Sequence, residues 1–98
     1  MLQQPDPRNR DLIVNIGGEL SSRDQAGVSP FDSSVQGGDA VWEGMRLYRG
    51  KVFRLDQHLN RLESSAKAMA FTDIPSRESI VEEIRRTLEA NGMTDDVH

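Results

Sequence analysis

The sequence predicts an α+β fold: an antiparallel sheet from two β-hairpins with two helices packed on one face. Two pairs of turn residues, Gly17-Gly18 and Arg49-Gly50, each lie between short β-forming runs and predict the hairpins. The helices are predicted by a change of period. After Leu55 the apolar residues stop alternating and recur at three and four. With 98 residues and no internal repeat, one domain is the upper bound.

Residues 1–10 carry Pro5 and Pro7 among polar neighbours and are expected to form a flexible N-terminal arm, leaving 11–98 as the small α+β domain. Leu12 to Ile16 is β-branched and apolar, Gly17-Gly18 turns it, and Glu19-Leu20 resumes. Residues 21–39 mix Ser, Asp, Gly and Pro around Pro30-Phe31 and predict a long loop. Loops of that length in a small domain are usually functional.

Val41 to Tyr48 predicts a strand, Arg49-Gly50 its turn, and Lys51 to Leu55 the return strand. Asp56 is a candidate cap for the helix that follows. Its apolar stripe is Leu55, Leu59, Leu62, Ala66 and Met69, while His58, Arg61 and Ser65 share a polar side. Phe71 to Pro75 connects to a second helix, capped by Ser76 and stopped at Gly92. Its stripe is Ile80, Val81, Ile84 and Leu88, with Glu82, Glu83, Arg85 and Arg86 as the wet side. Leu59, Leu62, Ile84 and Leu88 are expected to be buried where helices meet sheet.

Side chains alternate across a strand, which puts Val41, Glu43, Met45 and Leu47 on one face and Trp42, Gly44, Arg46 and Tyr48 on the other. The first face reads as core. The second carries a guanidinium, a bare glycine and two large aromatics, so it fits neither a core nor a plainly solvated surface. Alternation leaves two readings open: one wall of a ligand site, or an exposed face on which Arg46 stacks against aromatic neighbours.

Composition removes several function classes. The net charge is −4, the pI about 5.1, and Arg and Lys are interleaved with Asp and Glu, which argues against nucleic-acid binding. No apolar run reaches the length of a membrane span, and residues 1–8 lack the pattern of a signal peptide. A cytoplasmic chain with no nucleic-acid or membrane partner is expected. There is no cysteine, and His58 and His98 stand alone, so neither a disulfide framework nor a metal site is expected. Lys51, beside a turn, and Lys67, on a charged helix side, read as surface residues rather than amine nucleophiles. Arg61 reads first as a solvated or salt-bridged residue, with a planar fork that would suit a phosphate bordering the site wall.

Three pieces of sequence together carry a family resemblance: V-W-E-G-x-R-x-Y at Val41 to Tyr48, G-K-V-F-R-L at Gly50 to Leu55, and H-x-x-R-L-x-x-S-A at His58 to Ala66. With I-G-G-E-L at Ile16 to Leu20, this pattern resembles the amino-terminal small domain of the class IV (fold type IV) pyridoxal-phosphate aminotransferases. That family includes branched-chain and D-amino-acid aminotransferases and aminodeoxychorismate lyase, and W/F-E-G-x-R leans toward the branched-chain branch. The resemblance implies pyridoxal 5'-phosphate (PLP) as cofactor, with Arg61 a ligand of its phosphate. It also implies substrate contacts: Trp42 as a bulky pocket residue, Gly44 as room for substrate, and Arg46 as positive charge near the substrate carboxylate. Amino acid and 2-keto acid substrates and a homodimer follow from the same resemblance.

Two departures accompany it. Gly37 stands where branched-chain members often carry an aromatic. Family members are also longer, so the large domain with the cofactor-bearing lysine is expected beyond His98. No catalytic residue is assigned to this chain, which is expected to be inactive alone. The competing expectations are an inactive binding module on the same scaffold, and a PLP-dependent lyase of the family.

Overall fold

The computed structural model describes residues 6–98. Gly17 and Gly18 have φ of 63° and 90°, the pair of positive values that a two-residue type I′ turn requires. They join β1 (Ile13–Ile16) to β2 (Glu19–Ser22) in an antiparallel ladder with Ile13 opposite Ser22 and Ile16 opposite Glu19. Asn15 Oδ1 accepts from Gly18 N at 2.9 Å and braces the turn. Of the expected arm, residues 1–5 lie outside the described residues, and Pro7–Asn9 form a single 3-10 turn capped by Asp6.

The long segment after β2 contains one short helix, α1 (Ser33–Gln36), whose first turn is capped by Asp32. The second hairpin, β3 (Leu47–Tyr48) with β4 (Lys51–Val52), turns through Arg49 and Gly50 at φ of 51° and 77°. A bond from Phe53 N to Arg46 O (2.7 Å) extends this ladder by one step. The two hairpins form separate two-stranded sheets.

Residues 41–45, expected to be strand, have no ladder partner. A strand needs a neighbour for its N–H and C=O groups, and the first hairpin does not lie alongside. Their side chains nonetheless keep period two, with Val41, Glu43, Met45 and Leu47 turned inward and Trp42, Gly44, Arg46 and Tyr48 outward. The predicted sidedness holds where the predicted ladder does not. On the far side of β3, Val97 makes an antiparallel bridge with Leu47.

Helix α2 spans Leu55–Ala68 and α3 spans Arg77–Ala90. Helix α2 begins one residue before Asp56, so Asp56 sits in the first turn, where its charge complements the helix dipole. Ser76 caps α3 by accepting from Ser79 N at 3.2 Å, and Gly92 follows it at φ 62°.

Helix α3 is fastened to β1 by polar side chains. Asn91 accepts from Ile13 N (2.8 Å) and donates to Ile13 O (2.9 Å), acting as a substitute strand. Glu83 accepts from Asn15 and Arg86, and Arg86 also donates to Gly18 O. The expected wet side of α3 is therefore divided. Arg85 pairs with Glu82 and Glu89 in solvent, while Glu83 and Arg86 hold the first hairpin.

Among the described residues Leu47, Leu59 and Ala66 form the buried core, and Leu62, Ile84 and Leu88 are only half-buried. The chain exposes 7986 Å². A compact chain of this mass would expose about 5,600 Å². The difference includes large apolar side chains: Phe31, Trp42, Tyr48 and Phe53 all lie more than half exposed.

Candidate functional site

Glu43 is an acid on the inward, otherwise apolar side of segment 41–47, and such a group requires partners. It finds them on α2. Glu43 Oε1 accepts from Arg61 Nη2 (2.8 Å) and Nε (3.1 Å), and lies 2.6 Å from His58 Nδ1. His58 and Arg61 are three residues apart and so share one helix face. The close approach to a carboxylate, which can only accept, makes Nδ1 the hydrogen-bearing nitrogen of His58. Arg61 Nη2, 3.0 Å from Nδ1, thus converges on the same oxygen instead of donating to the ring. The Arg61 guanidinium, and after it His58, holds the Glu43 carboxyl below its ordinary range.

Burial is uneven across the cluster. The side chains of Glu43 and His58 are each 15% exposed, whereas Arg61 is 64% exposed. Glu43 engages the Nε–Nη2 edge of the guanidinium. Its Nη1 makes no hydrogen bond among the described residues, which leaves the Nη1–Nη2 edge without a protein partner on its outer nitrogen.

The outward residues of the segment form a second group. Trp42 is 82% exposed. A Cβ on Gly44 would stand 3.5 Å from Trp42 Cζ3 and 3.6 Å from His98 Nε2, so the glycine keeps open the space between two rings. Arg46 pairs with Asp96 through Nη2 and does not stack on an aromatic. The guanidiniums that lie over rings are those of Arg49 on Tyr48 and Arg54 on Phe53.

The structure thus gathers Trp42, Gly44 and Arg46 on one outward face and sets Arg61 at Glu43, on the side that meets α2. Two concavities flank the cluster. An open cleft of about 860 Å³ between the first hairpin and α3 is lined by Glu43, Met45 and Leu62. An apolar groove of about 560 Å³ between α2 and α3 is lined by Val41, Leu62, Phe71, Ile74 and Ile80, and contains neither Arg61 nor Trp42. Lys51 is exposed, and Lys67 is exposed and paired with Glu63. Among the described residues no three His, Asp or Glu side chains converge as a metal site.

Sequence reasoning missed Glu43, His58, Asp96 and His98. The first had a usable signal, since a lone acid on an apolar strand face demands a cation opposite. The pairing of His58 with it follows from α2 crossing behind the segment. Asp96 and His98 meet Arg46 and Gly44 only through the tertiary fold.

An α+β domain of two hairpins and two principal helices, carrying W-E-G-x-R beside H-x-x-R, is the small-domain pattern of an aminotransferase class. The chain belongs to the class IV aminotransferase family: the family model for Amino-transferase class IV matches residues 40–97. It is similar to branched-chain-amino-acid aminotransferase-like protein 2 of Arabidopsis thaliana, with 56% identity over 94 residues, 96% of this chain and 17% of that protein. It is 37% identical over 85 residues to a putative branched-chain-amino-acid aminotransferase of Methanocaldococcus jannaschii, covering 86% of this chain and 29% of the relative. An aminodeoxychorismate lyase of Bacillus subtilis is 32% identical over 83 residues, or 85% of this chain and 28% of that protein. The chain thus spans less than a third of the length of each of these relatives.

Proposed function

We infer that the chain is the small N-terminal domain of a PLP-dependent class IV aminotransferase that moves an amino group between a branched-chain-like amino acid and a 2-keto acid. The observation that carries this reading is the family match over residues 40–97 together with the half-solvated guanidinium of Arg61 inside the H-x-x-R motif. PLP, when bound, supplies the electron sink that amino-group transfer needs.

The residues present fit that cofactor at one point. Arg61 has a carboxylate on its Nε–Nη2 edge and an Nη1 with no hydrogen-bond partner among the described residues, and its side chain is 64% exposed. A fork of N–H donors matches phosphate oxygens in charge and geometry. Trp42 and Gly44 are assigned to shaping the substrate space, and Arg46 to drawing the substrate carboxylate. The lysine that carries the cofactor belongs to the remainder of the protein, as do the other phosphate contacts. Exposed Phe31, Trp42, Tyr48 and Phe53 support docking against that remainder and against a second copy in a cytoplasmic homodimer.

The test is amino-group transfer by the whole protein. With PLP, a branched-chain amino acid and a 2-keto acid acceptor, the new amino acid and new keto acid should form in equal amounts. A second reading, a lyase, is favoured by the similarity to aminodeoxychorismate lyase. Release of a cleaved product without amino-group transfer would replace the first reading with the second.

A further inference from the structure

We propose that Glu43 is a positioning residue for Arg61: it clamps the inner edge of the guanidinium so that the outer fork is held ready for the cofactor phosphate. The proposal rests on the reading that Arg61 takes that phosphate.

The geometry separates two jobs on one side chain. Of the five N–H groups of an arginine, Glu43 Oε1 takes one from Nε and one from Nη2. Both hydrogens of Nη1 and the second hydrogen of Nη2 remain, and these form the end-on fork that suits two phosphate oxygens. Arginine has a long, flexible stem, and fixing it at the moment of binding opposes affinity. Here the fixing is done in advance by a carboxylate that is itself largely buried. His58 completes the clamp from the same helix face, donating to the same oxygen, so the carboxylate is held from two directions.

The arrangement has an electrostatic cost that makes the proposal falsifiable in sign. A carboxylate beside Arg61 partly neutralises it. If charge alone decided phosphate affinity, removing that carboxylate would tighten binding. If prior positioning decides it, removal weakens binding.

The experiment measures dissociation constants of the whole protein for PLP and for pyridoxal, its phosphate-free counterpart, in the parent, Glu43→Ala, Glu43→Gln and Arg61→Ala. Glu43→Ala should weaken PLP binding roughly 3- to 10-fold and leave pyridoxal binding unchanged. Glu43→Gln keeps an oxygen that accepts from Nε–H and should recover part of the loss. In this chain, the Arg61 Nε–H resonance should exchange slowly with water in the parent and rapidly in Glu43→Ala. PLP bound as tightly as by the parent or more tightly in Glu43→Ala, beside weakened binding in Arg61→Ala, overturns the proposal alone. Equal weakening toward PLP and pyridoxal also overturns it, because a general structural defect ignores the phosphate. Unchanged PLP binding in Arg61→Ala overturns the phosphate reading and the proposal with it.

Discussion

Asn91 joins the far end of α3 to the start of β1 by exchanging two hydrogen bonds with the backbone of Ile13, at 2.8 and 2.9 Å. A backbone normally receives this pattern from a neighbouring strand. Here a single amide supplies the donor and the acceptor, closing the edge of the first hairpin with a side chain.

Asn91→Ala should therefore destabilise the chain by about 1–3 kcal/mol, because it strands a part-buried N–H and C=O together. Asn91→Asp keeps the acceptor for Ile13 N and loses the donor to Ile13 O, so it should fall between alanine and the parent. Chemical denaturation of the three proteins checks the order. An alanine variant as stable as the parent would show that water replaces Asn91 without loss.

The second prediction corrects an expectation about the core. Leu62 was expected to be buried alongside Leu59, but only Leu59 is enclosed, at 3% exposure, beside Leu47 and Ala66. Leu59→Ala should cost about 2–5 kcal/mol, and Leu62→Ala distinctly less. Thermal melts of the two variants decide it. Equal losses would place Leu62 in the core after all.

Acid stability follows from the Glu43 cluster. The Glu43 carboxyl is depressed below its ordinary 4.5 by Arg61 first and His58 second. A carboxyl depressed in the fold contributes stability that is present above its unfolded value and lost as pH falls through the folded one. Melting temperature should drop on acidification below about pH 4.5, and Glu43→Gln should flatten part of that drop. Glu63 and Glu82 are depressed as well, by Lys67 and Arg85 in first place, so the quantity to read is the difference between variant and parent. Parallel pH curves for the two proteins would remove Glu43 from the account.

Neither lysine of the chain sits in a desolvated pocket. Lys67 is 68% exposed and bound to Glu63 at 3.0 Å, and Lys51 lies exposed beside the hairpin turn. Incubating the isolated chain with PLP and then borohydride should modify Lys51 and Lys67 no more than in an unfolded control. One lysine labelled stoichiometrically would mean the domain carries its own amine nucleophile.

What the sequence showed and what it concealed divide by distance along the chain. The Gly17-Gly18 turn, the Ser76 cap and the helix stripes are local devices, each readable within a few residues; turn and cap are found in place, and the stripes hold except at Met69 and Val81, which are exposed. The alternation of residues 41–48 is local too and holds, whereas the ladder expected there forms only at its end, next to the turn, because a ladder belongs to two segments. The site divides the same way. Trp42, Gly44 and Arg46 share a face as read from period two, but the partners of that face, Asp96 and His98, arrive from the other end of the chain. Arg61 was legible as a fork on a polar helix side. Its clamp was not, because Glu43 lies on a separate segment and its alternation assigned it to the core.

Phosphate recognition by Arg61 is the claim on which the rest depends, and the PLP dissociation constant of the whole protein tests it most directly. Arg61→Ala should weaken binding about 10- to 100-fold, the loss expected for charge-assisted hydrogen bonds worth roughly 1.5–3 kcal/mol. Arg61→Lys keeps the charge without the fork and should restore only part of the affinity. Lys67→Ala, a surface change on the same helix, should bind PLP like the parent. If Arg61→Ala holds PLP as tightly as the parent does, Arg61 is an ordinary helix-surface residue tied to Glu43, and the account of this site is wrong.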